Sequence, residues 1–120
     1  MKQKVHSVSY LAKAEFELKK GVYDLVALPC GAEVVKVSLE VVGNPTAVNV
    51  SVGFKDENTK NYFLTLESNN GNNKNATSAK DYTATDNKVV VAEVKDINGN
   101  DVKGVLRVLY FLPSVIEVEY

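Results

Sequence analysis

Period-two alternation of apolar and polar residues runs through most of this 120-residue chain. A chain so patterned buries its apolar side chains by forming strands with one covered face. Between Val34 and Val42, Val35, Val37, Leu39 and Val41 share one face, and Lys36, Ser38 and Glu40 the other. Between Thr46 and Phe54, Val48, Val50, Val52 and Phe54 alternate with Asn49, Ser51 and Gly53. Gly43-Asn44-Pro45 joins the two runs. Glycine permits positive φ and proline cannot extend a ladder, so the pattern predicts a turn and an antiparallel hairpin.

The pattern recurs downstream. Val89, Val91, Glu93 and Lys95 alternate with Val90, Ala92 and Val94. Asp96-Ile97-Asn98-Gly99-Asn100-Asp101 follows, and its Asn-Gly step predicts a second hairpin turn. Val102 to Leu112 then reads as a strand mostly apolar on both faces: Val105, Arg107, Leu109 and Phe111 on one, Leu106, Val108, Tyr110 and Leu112 on the other. Such a strand belongs at the centre of a sheet, covered by a second sheet or by a neighbouring subunit. Val115 to Tyr120 reads as a last strand after Pro113 and Ser114, with Ile116, Val118 and Tyr120 inward. Ala12 to Lys19 contains acceptable helix formers, but Ala12, Ala14, Phe16 and Leu18 alternate and no capping box precedes them. Strand is the preferred reading there, followed by a short strand from Val22 to Leu28. About nine short antiparallel strands punctuated by Gly, Pro and Asn turns predict one all-β domain over residues 1–120, a β-sandwich or jelly-roll-like barrel. No internal repeat is evident.

Residues 68–80 break the pattern. Five of the seven residues from 69 to 75 are Asn, namely Asn69, Asn70, Asn72, Asn73 and Asn75. So polar a stretch buries too little surface to offset the entropy of ordering it. The expectation is a mobile surface loop and a candidate interaction loop.

Composition narrows the function. Fourteen basic residues against 15 acidic leave a net charge of −1, with no basic run beyond Lys19-Lys20. A nucleic-acid partner would need a basic face, so none is expected. No membrane-spanning apolar run and no signal-peptide core occurs, which points to folding in a cytoplasm. Cys30 is the only cysteine, so no intrachain disulfide forms. Its apolar surroundings, Leu25 to Ala32, predict a buried thiol.

Catalytic groups are scarce. With one His, His6, and one Cys, a zinc site of nitrogen and sulfur ligands is not available within one chain. Asp96 to Asp101 fails the calcium-loop pattern, because Gly99 stands at position four and Arg107 at position twelve. Asp56-Glu57-Asn58 reads as a polar turn. Any Ser-His-Asp arrangement would have to use His6, in a segment read as exposed. Glu117 and Glu119 lie two apart on one strand, the pattern of a solvated face and not of a glycosidase cleft. No metal, cofactor or catalytic residue is expected, and the chain is read as no enzyme. Asn49-Val50-Ser51 and Asn75-Ala76-Thr77 match the glycosylation pattern by chance in so Asn-rich a chain. Tyr10, Tyr62, Phe63, Tyr82, Tyr110 and Tyr120 are spread along the chain and are read as core residues with polar tips at the rim.

The stretch Tyr23 to Val41, with Leu28-Pro29-Cys30-Gly31-Ala32 turning into a Val-rich strand, resembles small accessory proteins of tailed-phage and prophage virions. Val52-Gly53, Tyr62-Phe63 and the strand Gly104 to Tyr110 extend the resemblance over roughly residues 22 to 112. Cys30 stands where such proteins usually carry Ala. The resemblance implies a non-enzymatic virion component of decoration, head-fibre or tail-accessory type. It would be made in a host cytoplasm, form a homo-oligomer and contact capsid or tail proteins. A second likeness, of Val94 to Val105 to a hairpin in bacterial immunoglobulin-like adhesin domains, implies instead a surface adhesin or carbohydrate-binding module.

Overall fold

The computed structural model describes residues 2–69, 74–113 and 115–119. Its strands are β1 (Lys2–His6), β2 (Ser9–Glu17), β3 (Gly21–Leu28), β4 (Glu33–Val42), β5 (Ala47–Phe54), β6 (Leu64–Ser68), β7 (Asn75–Ser78), β8 (Tyr82–Thr83), β9 (Lys88–Asn98), β10 (Lys103–Phe111) and β11 (Val115–Glu119), with one 3-10 turn at Glu57–Thr59. One sheet has the order β2-β10-β4-β7, with β8 also on β4; the facing sheet has the order β3-β9-β5-β6. Every pairing is antiparallel. From β2 to β10 the chain crosses between the sheets at every connection except β5–β6 and β7–β8, and the resulting strand orders are those of a jelly roll. The segment from Ala12 is strand, as alternation predicts, and β10 is central, between β2 and β4.

Two predicted hairpins are not hairpins. β4 and β5 lie in opposite sheets, as do β9 and β10. The physical reason is the single apolar face of each run. Folding β4 onto β5 in one sheet would set their apolar rows side by side and uncovered, whereas crossing between sheets sets Val37, Leu39 and Val41 against Val48, Val50 and Val52, all nearly or fully buried. The turns still form where glycine and proline place them, and they brace each other. Thr46 N donates to Asn98 O at 2.8 Å and Leu18 N to Val102 O at 2.9 Å. Both Gly99 of the Asn-Gly step and Asp101 take positive φ, at 157° and 57°.

Phase slips also have local causes. The β10–β4 register shifts between Leu109 and Tyr110, so Tyr110 faces Val34. Val34, and not Val35, therefore joins the core at 0% exposure. Asn75 to Ser78, expected to be loop, form β7 against the free edge of β4, with Ala76 packed on the core. An available sheet edge outweighs poor local strand propensity.

Gly53 carries the close approach on which the 55–63 connection depends. That connection folds back over the outer face of the second sheet, and a Cβ on Gly53 would lie 2.1 Å from the Thr59 carbonyl oxygen and 2.6 Å from Tyr62 N. Val91, the register partner of Gly53, is fully buried on the same face. Gly53→Ala should therefore cost about 1–3 kcal/mol, lowering the melting temperature by roughly 4–12 °C in a thermal denaturation monitored by circular dichroism. An unchanged melting temperature would contradict this packing.

Among the described residues the buried polar side chains are Ser51 and Ser68 alone, so no charge sits in the core. The ion pairs are peripheral; even Glu93, beside Lys60 at 3.9 Å, keeps 27% of its side chain exposed. Such pairs contribute at most about 1 kcal/mol each. Acidification from pH 7 to pH 4 should thus lower the melting temperature by only a few degrees, and cooperative unfolding above pH 4 at room temperature would contradict a stability held by apolar burial.

Candidate functional site

Among the described residues the distinctive chemistry lies at the two poles of the sandwich and on one outer face. At the first pole the chain termini come together. β1 pairs with β11, Lys2 opposite Glu119 and Lys4 opposite Glu117, in a two-stranded ribbon separate from both sheets. The ribbon is tied to the sandwich at its root. His6 Nδ1 donates to the Leu112 carbonyl at 3.1 Å, and Leu112 N donates to the Val8 carbonyl at 2.8 Å. Pro113 seats over Gly31, whose φ of 88° and lack of a Cβ allow it; a Cβ there would lie 2.7 Å from Pro113 Cβ.

His6 is thus half-buried and bonded to backbone. Glu117 and Glu119 fall in β11, a ribbon strand and not a wall of a cleft. Among the described residues no three His, Cys, Asp or Glu gather as metal ligands. The same pole holds an open cleft of about 280 Å³, lined by Asp56, Asp86 and Lys88 among others. Lys88 lies 3.4 Å from Asp86 and 4.0 Å from Asp56. The hydrogen bond to Asp86, then its charge, holds the Lys88 ammonium above the ordinary lysine pKa.

Cys30 corrects an expectation. It is exposed, its Sγ donating to Thr85 O at 3.3 Å and its backbone N to Asn87 Oδ1 at 3.1 Å. The apolar run from Leu25 continues past the end of β3 at Leu28, and Cys30 rides the turn beyond it.

On the outer face of the first sheet, Leu11 and Leu109 are register partners beside Lys36, Ser38 and Arg107, lining a groove of about 250 Å³. Arg107 Nη1 donates to Glu40 Oε1 at 3.0 Å on that face. Val8, Tyr10 and Leu11 are 40%, 51% and 60% exposed, three of the five large exposed hydrophobics among the described residues. They lie within four positions at the ribbon root.

At the opposite pole Lys74 Nζ donates to Asn44 Oδ1 at 2.9 Å, and Val41 N to Lys74 O at 2.8 Å. Asn69 is exposed beyond β6 and Asn75 exposed at the start of β7. Asn70, Asn72 and Asn73 lie outside the described residues. The described ends of this stretch, Asn69 and Asn75, lie with the 43–46 and 98–102 turns at the pole away from the ribbon.

Sequence reading missed one cluster. Phe54, Tyr62, Phe63 and Tyr82 stack with centroids 4.5–6.4 Å apart, and Lys80 Nζ sits 3.8 Å from the Tyr62 centroid. These rings are spread in sequence, and only the strand pairing gathers them. They pack chiefly against one another and the core, with Phe54 and Phe63 buried. Asn49 is half-buried in the centre of β5 and its Oδ1 is fully enclosed, so the Asn49-Val50-Ser51 match is no open acceptor.

No family model and no curated protein matches the chain. Among solved structures, a chain in the acid-stable capsid of Helicobacter pylori bacteriophage KHP30 matches at 75% identity over 100% of both chains, with a TM-score of 0.91. The chain belongs to the phage capsid proteins. It is a structural component of the virion, as the phage resemblance implies. Chains in the capsids of cyanophage Pam1 and Ralstonia phage GP4 share the fold at 21% and 16% identity, with TM-scores of 0.63 and 0.59. The match covers 88% of this capsid protein and 85% of the Pam1 chain, and 92% and 88% respectively for GP4. The adhesin likeness finds no support, since Val94 to Val105 is a crossover between sheets in a jelly roll.

The exposure of Cys30 predicts that Ellman's reagent modifies one thiol per chain in the native protein within minutes. Modification only after denaturant would contradict it.

Proposed function

We propose that this capsid protein is a non-enzymatic decoration component, binding a completed shell as a symmetric homo-oligomer instead of building the shell. The observation that carries this reading is that one small jelly roll constitutes nearly the whole matched chain in all three capsids, at 100%, 85% and 88% of those chains. A 13.1 kDa domain measuring 55 × 25 × 19 Å offers a narrow cross-section and a long axis. That shape suits an upright attachment better than a shell tile. The polar residues that could do chemistry are dispersed: His6 bonds to backbone and Lys88 pairs with exposed carboxylates. Exposed apolar residues at the ribbon root, Val8, Tyr10 and Leu11, offer contact area, and the charge balance disfavours a role in packaging nucleic acid.

Capsids assembled without this protein should close normally and then bind the purified protein to a saturable stoichiometry in a sedimentation assay. Failure of shells to close in its absence would assign it to the shell itself, and closed shells that do not bind it would exclude decoration.

A further inference from the structure

We infer that the free edge of β2 is a strand-addition site, which takes an extended arm of the shell protein as a further strand of the first sheet. The inference rests on the decoration reading above and names the surface that does the binding. Among the described residues the first sheet is bounded by β2 and by β7 with β8, and the second by β3 and β6. An unpaired edge is a template for another strand unless it is short, kinked, charged or covered. β6, β7 and β8 are short, at five, four and two residues. β3 shifts register between Asp24 and Val26, which kinks its edge. The first half of β2 has none of these guards. It belongs to one unbroken register with β10 over nine residues, contains no Gly or Pro, and carries Lys13 as its sole charge between Ser9 and Ala14.

The backbone of this edge is set for pairing. Leu112 N donates to Val8 O and Leu18 N to Val102 O, which extends the β2–β10 register at both ends. In an antiparallel ladder hydrogen-bonded pairs recur at every second residue. Tyr10, Ala12, Ala14 and Phe16 therefore turn their N–H and C=O groups to β10. Leu11, Lys13 and Glu15 turn theirs the other way, to the free edge, where β2 has no strand partner. The start of β3 approaches only the far end of β2, through the Phe16–Tyr23 ring contact at 5.4 Å. The open stretch is thus Ser9 to Glu15.

The side chains of the same stretch state what the arm must carry. Tyr10 and Leu11 point to opposite faces of β2, yet both stay more than half exposed, at 51% and 60%. Each is covered from the β10 side, Tyr10 by the Tyr110 ring and Leu11 by its register partner Leu109. Each lacks cover on the side where a neighbouring strand would lie. Lys13, on the face of Leu11, pairs with Glu15 of its own strand at 3.6 Å and keeps half its side chain exposed. The fitting occupant is an extended segment with apolar residues opposite Leu11 and beside Tyr10, and a carboxylate opposite Lys13. A second copy of this edge does not supply that pattern in any antiparallel register. Leu11 opposite Leu11 sets Lys13 against Ser9; Lys13 opposite Glu15 sets Leu11 against Glu17; centring on Lys13 sets it against itself. The occupant is therefore an apolar, acidic arm of the shell protein.

Closed shells lacking this protein, mixed with the full chain, test this by sedimentation and by amide hydrogen exchange. In the free protein the amides of Leu11, Lys13 and Glu15 should exchange faster than those of Ala12 and Ala14, and binding to shells should slow the first set by about tenfold or more. Lys13→Pro removes an amide that β10 does not use, so the melting temperature should stay within about 5 °C of wild type. Its affinity for shells should fall by about tenfold or more, and so should that of Leu11→Lys, which keeps every backbone group and serves if the proline variant unfolds. Near-ultraviolet circular dichroism of the aromatic cluster around Phe54 reports folding in each variant. Wild-type affinity in the folded variants, or outward amides that stay unprotected on shells, would overturn the inference and leave decoration standing. Shells that bind no wild-type protein would refute decoration and remove the occupant named here. Slowed exchange of the same amides in concentrated protein without shells would assign the edge to a second copy and likewise overturn the inference.

Discussion

The structure depends on the burial of two alternating apolar faces against each other. Val37, Leu39, Leu106 and Val108 from one sheet meet Val50, Val52, Val90 and Ala92 from the other, and none of these eight side chains exceeds 1% exposure. Burying a Val or Leu side chain contributes roughly 1.5–3 kcal/mol, and a surface ion pair typically less than about 1. The core therefore sets stability, while the charged pairs at the surface tune solubility and contact. This hierarchy also explains the topology. Because the apolar faces must cover one another, most successive strands divide between the two sheets, and the 43–46 and 99–102 turns bridge the layers, whereas β5 and β6 remain neighbours in one sheet.

Much of this was legible in the sequence. Alternation identified β2, β3, β4, β5, β9 and β10, and the mostly apolar faces of β10 marked it as central. What alternation could not convey was partnership. The Gly43-Asn44-Pro45 and Asn98-Gly99 steps look like hairpin turns because a turn's local chemistry is the same whether it joins neighbours in one sheet or crosses to the facing one. Likewise, nothing in Asn75-Ala76-Thr77-Ser78 indicates that an edge of β4 awaits it. The exposure of Cys30 was hidden for a related reason: an apolar run carries no mark of where its strand ends.

The functional surface was harder still to read. Val8, Tyr10 and Leu11 resemble any apolar positions of a strand, and their exposure emerges only from the neighbours they lack. The ribbon itself joins residues from the two ends of the chain, more than a hundred positions apart, and so leaves no local signature. By contrast, Asn69 and Asn75, the described ends of the conspicuous Asn-rich stretch, lie at the far pole.

The most direct measurement is a cryo-electron microscopy reconstruction of the capsid carrying this protein, at a resolution that traces strands. The account predicts discrete copies seated on the outside of a shell built by another protein, each with strand orders β2-β10-β4-β7 and β3-β9-β5-β6. Copies that themselves form the continuous shell would contradict it.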